Sequence, residues 1–165
     1  MTEEERIRIA EDNLNRVLDW VSRIDAKSSV VLGINTAMLG ALASLAPAPH
    51  LWSTRTVVLG TISLVFLVAT FTCIYFVNYP RTKGPATSLN FFGGIAGRTF
   101  REYETAFMKF SPTEHLSDVL EQCHRNVEIV NLKFAALKLA YRSLLIGITP
   151  WAFCLYYFKV VTDPH

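Results

Sequence analysis

The residues of this chain that could do chemistry sit close to the ends of long apolar runs. Pro80 and Arg81 stand where one such run stops, and the stretch Ser88-Leu89-Asn90-Phe91-Phe92-Gly93-Gly94 follows a few residues later. Each residue type has a use. Arginine and lysine hold phosphate through charge-assisted hydrogen bonds, which are roughly twice as strong as neutral ones. Backbone amides in a glycine-rich turn, here F-F-G-G-I-A-G, can donate to the same anion. A phenylalanine face can stack on a base. Asp25 and Lys27 lie one turn before another apolar run, and Lys133 and Lys138 precede the last one. At about 1.5 Å per residue these groups could converge with Arg81 in one membrane-proximal layer. A second reading stands beside this one: interfacial Lys and Arg anchor to lipid head groups, and N-F-F-G-G is a capped loop that packs its rings on a helix.

Other groupings of reactive side chains lack the geometry for chemistry. Cys73, Cys123 and Cys154 show no C-x-x-C spacing and read as small packing residues. Glu121 and His124 form one Glu-x-x-His step, whereas a di-iron bundle needs two such steps and further glutamates, so no metal site is expected. His115, Ser117 and Asp118 have the composition of a triad, but neighbours on one helical turn cannot line up as nucleophile, base and orienter. Enzyme activity is not expected, nor is a cofactor. A formal net charge of +2 over 165 residues leaves no excess for gripping DNA or RNA, so nucleic acid is not an expected partner.

Hydropathy sets the elements that must position these residues. The chain is 51% hydrophobic, and its apolar residues gather in three runs, Ser29 to Ala46, Thr56 to Val77 and Leu144 to Val161. Each is near the roughly 20 residues a helix needs to cross hydrocarbon. A cleaved signal peptide would carry a short basic leader, whereas here M-T-E-E-E and an amphipathic stretch come first, so the first run is expected to be kept as a span. Of the 16 Lys and Arg residues, only Arg55 and Lys159 lie outside the N-terminal segment and the long region between the second and third runs. The positive-inside rule then puts the N-terminus and that region in the cytoplasm, with P-A-P-H-L-W-S-T-R and the C-terminal T-D-P-H on the other side. The expected order is a cytoplasmic amphipathic helix over 1–28, spans over 29–47, 56–79 and 143–161, a cytoplasmic loop region over 80–112 and a heptad helix over 113–142.

Two cytoplasmic segments carry steps of four and three. One runs through Ile7, Ala10, Leu14, Val17, Val21 and Ile24, the other through Leu116, Leu120, Cys123, Val127, Val130, Phe134, Leu137 and Tyr141. A period of 3.5 predicts helices that wind around one another. Both lead into a membrane span, so they are expected to form a parallel stalk; packing of each seam on a second copy fits the pattern equally well. Within the spans, Gly33, Ala37 and Ala41 offer small residues for close helix approach. Asn35 is expected to bond across a helix interface or to line a pore, and Gly147 with Pro150 to kink the third span.

Taken in order, D-W-V-S-R-I-D-A-K-S-S-V-V-L-G-I-N-T-A-M-L-G-A-L, a second span ending N-Y-P-R, then S-L-N-F-F-G-G-I-A, then Q-C-H-R-N-V-E-I-V-N-L-K-F-A-A-L-K-L-A-Y-R-S-L-L-I-G, the chain resembles the membrane effector family of the bacterial Pycsar antiphage systems over nearly its whole length. The D-A-K, P-R and S-L-x-F-F-G elements carry most of the likeness. The resemblance implies a receptor for a cyclic pyrimidine mononucleotide, cyclic UMP or cyclic CMP, made by a partner cyclase on infection, whose binding impairs the inner membrane and arrests or kills the host cell. By motif match the expected ligand-binding residues are Asp25, Lys27, Arg81, Ser88, Phe91, Phe92, Gly93 and Lys133, with Pro80 beside them. The expectation is therefore an all-α membrane protein with three transmembrane helices and a cytoplasmic parallel helical stalk, assembled as a homo-oligomer in the bilayer. The alternative is a ligand-independent small pore former or membrane scaffold.

Overall fold

A computed structural model describes every residue except Lys83, Ala86 and 163–165. Lys83, counted above with the cytoplasmic basic residues, and the last three residues of T-D-P-H thus lie outside the described residues. The chain forms five α-helices: α1 (Glu3–Leu45), α2 (Thr54–Asn78), α3 (Phe92–Ala96), α4 (Phe100–Met108) and α5 (Pro112–Thr162), with a 3-10 turn at Pro49–Leu51. No strand occurs among the described residues, and α1, α2 and α5 are each long and apolar enough to cross a membrane. At 25 residues α2 is about 37 Å long, enough for a hydrocarbon core of roughly 30 Å.

Four of these helices begin at a reciprocal cap, which satisfies backbone N–H groups that have no partner inside the helix. Thr2 and Glu5 exchange side-chain to backbone bonds at the start of α1. Ser53 with Thr56 does so at α2, Thr99 with Glu102 at α4, and Ser111 with Glu114 at α5. Pro112 at the first position of α5 has no N–H to satisfy and its ring presets a helical φ. The segment 80–112 thereby holds two short helices, α3 and α4.

The chain divides into two compact units. The first comprises Met1–Arg23 and Pro80–Leu132, and the second Ile24–Tyr79 and the chain from Lys133 onward.

In the first unit α1 and α5 run in the same direction. Thr113 Oγ1 donates to Glu3 Oε1 (2.6 Å), and further along His115 Nε2 lies 3.0 Å from Glu11 Oε1. The α1 seam faces inward as its spacing predicts: Ala10 and Val17 are buried and Ile7, Leu14 and Val21 half-buried. On α5 the interior line differs from the predicted one. Asp118, Val119, Gln122 and Val130 are buried here, whereas Leu120 and Val127 are exposed. The reason is chemical. Asp118 and Gln122 face inward because the 88–91 loop offers them hydrogen bonds, which a count of apolar residues cannot register.

The second unit is three helices around a narrow interior. The inward row of α1 continues in steps of four and three through Ile24, Ser28, Val31, Asn35, Met38 and Leu42, all buried. On α2 the buried residues include Thr56, Ser63 and Thr70, spaced by seven. On α5, Leu137, Ala140, Leu144 and Cys154 are buried, while Phe134 and Tyr141 of the predicted seam are exposed. Polar groups tie the helices together. Asn35 Nδ2 donates to the Leu67 carbonyl (3.1 Å), Ser143 Oγ to the Phe66 carbonyl (2.9 Å), and Trp151 Nε1 to the Met38 carbonyl (3.0 Å).

At Gly147 α5 lies close against α2: a Cβ at this position would lie 2.8 Å from Phe66 Cβ. A Cβ at Gly33 or Gly40 would meet nothing within 4 Å, and Ala37 is exposed, so the small-residue face of α1 does not pack on this chain's own spans. Helix α5 stays one element through Pro150.

Candidate functional site

The S-L-N-F-F-G stretch is fastened by its own polar groups within the first unit. Ser88 Oγ accepts from the backbone N–H of Phe91 (2.8 Å) and of Asn90 (3.1 Å), which bends the chain after Leu89. The buried Asp118 carboxylate takes the remaining donors: its Oδ2 accepts from Leu89 N (3.2 Å), Asn90 N (3.3 Å) and Asn90 Nδ2 (2.9 Å). Gln122, one turn on, donates to both Asp118 Oδ1 and Ser88 Oγ (3.2 Å each). From the other side, the Arg98 guanidinium donates to the carbonyls of Thr87 (2.8 Å), Ser88 (2.9 Å) and Gly94 (2.6 Å). Arg98 draws α3 and the loop together as a single staple.

The glycines have a steric reason. A Cβ at Gly84 would lie 2.6 Å from the Phe91 ring, and one at Gly93 2.8 Å from it. Phe91 is thus seated against two backbone segments that side chains would fill, and its centroid lies 4.5 Å from that of Phe92. Phe92 itself is 59% exposed. Of the two rings, Phe91 belongs to the loop's own packing and Phe92 is the one open to a partner.

Beside this loop lies a cleft of about 370 Å³, within the roughly 300–1,000 Å³ range of small-molecule sites. The loop forms one wall with Ser88 and Arg98, the end of α4 another with Lys109 and Phe110, and α5 the third with Ser117, Asp118 and Glu121. The cleft thus brings together two cations, an aromatic ring, the carboxylates of Glu114, Asp118 and Glu121, and the hydroxyls of Ser88 and Ser117. Glu114, from the cap of α5, lies on its rim. Hydrogen bonds from the Thr99 backbone and hydroxyl hold Glu102 below the usual carboxylate range, and those from Ser111 do the same for Glu114.

The other expected ligand residues divide between the units. In the second, Lys133 Nζ meets Asp25 Oδ1 at 2.5 Å, with the lysine side chain 10% exposed and the aspartate 41%. One turn on, Ser28 Oγ lies 3.1 Å from Asn78 Oδ1 and donates to the Asp25 carbonyl (2.8 Å). Lys27 is exposed. In the first unit, Ser88, Phe91 and Gly93 meet in the loop and Arg81 is half-buried. The pairing engages the Lys133 ammonium with a carboxylate.

Asp118, Gln122, Arg98, Lys109 and Phe110 did not figure among the expected ligand residues. Asp118 was considered only as part of a triad. A usable signal was present in the Asp118 to Gln122 step of four, which puts two hydrogen-bonding side chains on one helix face next to the Val119 and Val130 core.

The family model for the Pycsar effector protein domain (PycTM) matches residues 9–158 of the chain. No curated protein and no solved structure matches it.

Proposed function

The chain belongs to the Pycsar effector family, and on that premise we propose that it is a receptor for a cyclic pyrimidine mononucleotide, cyclic UMP or cyclic CMP, that impairs the inner membrane when occupied. The family assignment makes it an antiphage defence effector working in a cyclic nucleotide signalling context, and its three apolar helices make it a membrane protein.

The observation that carries the reading is the cleft in the first unit. A cyclic mononucleotide needs a cation for one phosphate charge, a ring for the base, and acceptors for base and ribose donors. Lys109 and the unengaged N–H groups of Arg98 supply the first, Phe110 the second, Ser117 and Glu121 the third. In this reading the protein binds its ligand without transforming it. Binding closes α4 and the 88–91 loop on the ligand, and the change reaches the second unit because α1 and α5 each contribute to both units as single helices. Such a ligand shifts the equilibrium only by its differential affinity for the two states.

Copies assemble through the open α1 face at Gly33 and Ala37, in an inner membrane with the N-terminus cytoplasmic and the C-terminus outside. A pyrimidine nucleotide cyclase supplies the ligand. The test is calorimetric titration of detergent-solubilised protein with cyclic UMP, cyclic CMP and their linear monophosphates. Saturable binding of one cyclic form is expected, weakened by Lys109→Ala by about 1.5–3 kcal/mol, the range for hydrogen bonds to charged groups. Absence of binding by every cyclic form, together with toxicity of the protein expressed alone, would replace the receptor with a ligand-independent pore former.

A further inference from the structure

Buried serines, threonines and asparagines commonly tie helices together inside a membrane protein, whereas a buried polar atom that no helix contact engages marks a site or a path. The second unit departs from an apolar interior on two helices in register: Ser28 and Asn35 on α1, and Thr56, Ser63 and Thr70 on α2, are all at most 1% exposed and recur every seven residues. Most have a local explanation. Ser63 donates to the Leu59 carbonyl and Thr70 to the Phe66 carbonyl of their own helix, as hydroxyls in apolar surroundings do.

Asn35 does not. Its amide nitrogen bonds to the Leu67 carbonyl, which can only accept, so the orientation of the amide is fixed. The oxygen is then left buried without a partner among the described residues. A buried carbonyl left without a donor destabilises the fold. The bond across to Leu67 accounts for the amide nitrogen and gives the oxygen no part in holding the helices together.

We propose that the interior of the three-span unit is a closed route for water and small monovalent cations, and that the Asn35 side-chain oxygen is its central ligand. Resting on the reading that the protein damages the membrane, the inference specifies how: opening of the bundle hydrates a row of oxygens already in place, with Asn35 about 10 Å along α1 from Ser28. Gly147 sets the same level on α5, where the absence of a side chain lets the helix lie against Phe66 in the closed state. The chemical class of ligand is a hydrogen-bond donor or a partly dehydrated cation, both of which a neutral carbonyl oxygen serves.

The experiment uses full-length protein in phosphatidylethanolamine and phosphatidylglycerol vesicles loaded with K⁺, with cyclic UMP or cyclic CMP added outside inside-out oriented protein. Wild type is expected to release K⁺ on nucleotide addition. Asn35→Leu is expected to bind nucleotide as wild type does, to melt no lower, and to lose most of the flux. Asn35→Asp is expected to leak K⁺ above wild type without nucleotide, because a fixed charge draws water into the interior. Equal flux in wild type and Asn35→Leu would overturn the route. If wild type stays silent, the membrane-damage reading fails and the Asn35→Asp arm decides alone: leak supports the route, and tightness overturns it. That arm also decides if Asn35→Leu does not fold.

Discussion

Asp118 carries three donors of the 89–90 segment on one oxygen, so its loss is felt by backbone as well as side chains. Asp118→Ala leaves the Leu89 N–H buried and unpaired, and the first unit should lose about 1–3 kcal/mol in denaturant unfolding. Gln122→Ala removes only donors to Asp118 and Ser88 and should cost less; an equal or larger loss would show that Gln122, not Asp118, anchors the loop. The capping glutamates make a pH-dependent counterpart. Glu102 and Glu114 have folded pKa values below their ordinary ones, through bonds from Thr99 and Ser111. A depressed carboxylate contributes stability above its unfolded pKa and loses it as pH falls through the folded one. Protection of the Thr99 and Ser111 amides, relative to their intrinsic exchange at each pH, should therefore fall as pH drops below the usual carboxylate range, and Glu102→Gln should abolish the dependence at the first site. Protection that stays constant into acid would mean that the caps do not hold these helix starts.

Helix α1 and helix α5 show what a heptad can and cannot reveal about an element. The α1 row was legible throughout, since Ile7, Ala10, Leu14, Val17, Val21 and Ile24 all turn inward. On α5 only every second member of the row did so: Val130 and Leu137 are buried, while Leu120, Val127, Phe134 and Tyr141 lie open. The inward positions beside them are Asp118, Gln122, Lys133, Ala140 and Gly147, polar or small, and burial at such positions depends on hydrogen bonds and backbone approach that no hydropathy pattern contains. The same limit hid the Arg98 staple, which binds main-chain carbonyls and so leaves no pattern of side-chain types. Glycine substitutions separate the faces experimentally. Gly147→Ala forces α5 away from Phe66 and should lower the melting temperature in detergent, by the equivalent of about 1–3 kcal/mol for overpacking. Gly33→Ala and Gly40→Ala meet open space and should leave it unchanged. Ala37→Leu, on the same open face, should leave nucleotide affinity intact yet abolish dye entry in cells that make the nucleotide. Full dye entry at equal expression would remove this face from the output.

At the scale of the molecule, charge and hydropathy predict an orientation that reporters can read. A fusion partner active only outside the cytoplasm should work at the C-terminus and fail at the N-terminus; the reverse result would invert the topology and put the cleft on the wrong side for an intracellular nucleotide. Expressed without a cyclase, the protein should be harmless, and growth arrest under that condition would favour a ligand-independent pore. The parallel pairing of α1 with α5 bears on when the proposed activity arises during synthesis. The two helices meet across more than a hundred residues of chain, as at Glu3 with Thr113 and at Met38 with Trp151. Contacts so distant in sequence form late and slowly. On the ribosome, the first two spans exist before α5 has been translated, and at that stage Asp118, the third wall of the cleft and one side of the membrane interior are still missing. A nascent or interrupted chain therefore has neither the cleft proposed for the nucleotide nor the proposed path, and both are completed only with the last third of the polypeptide.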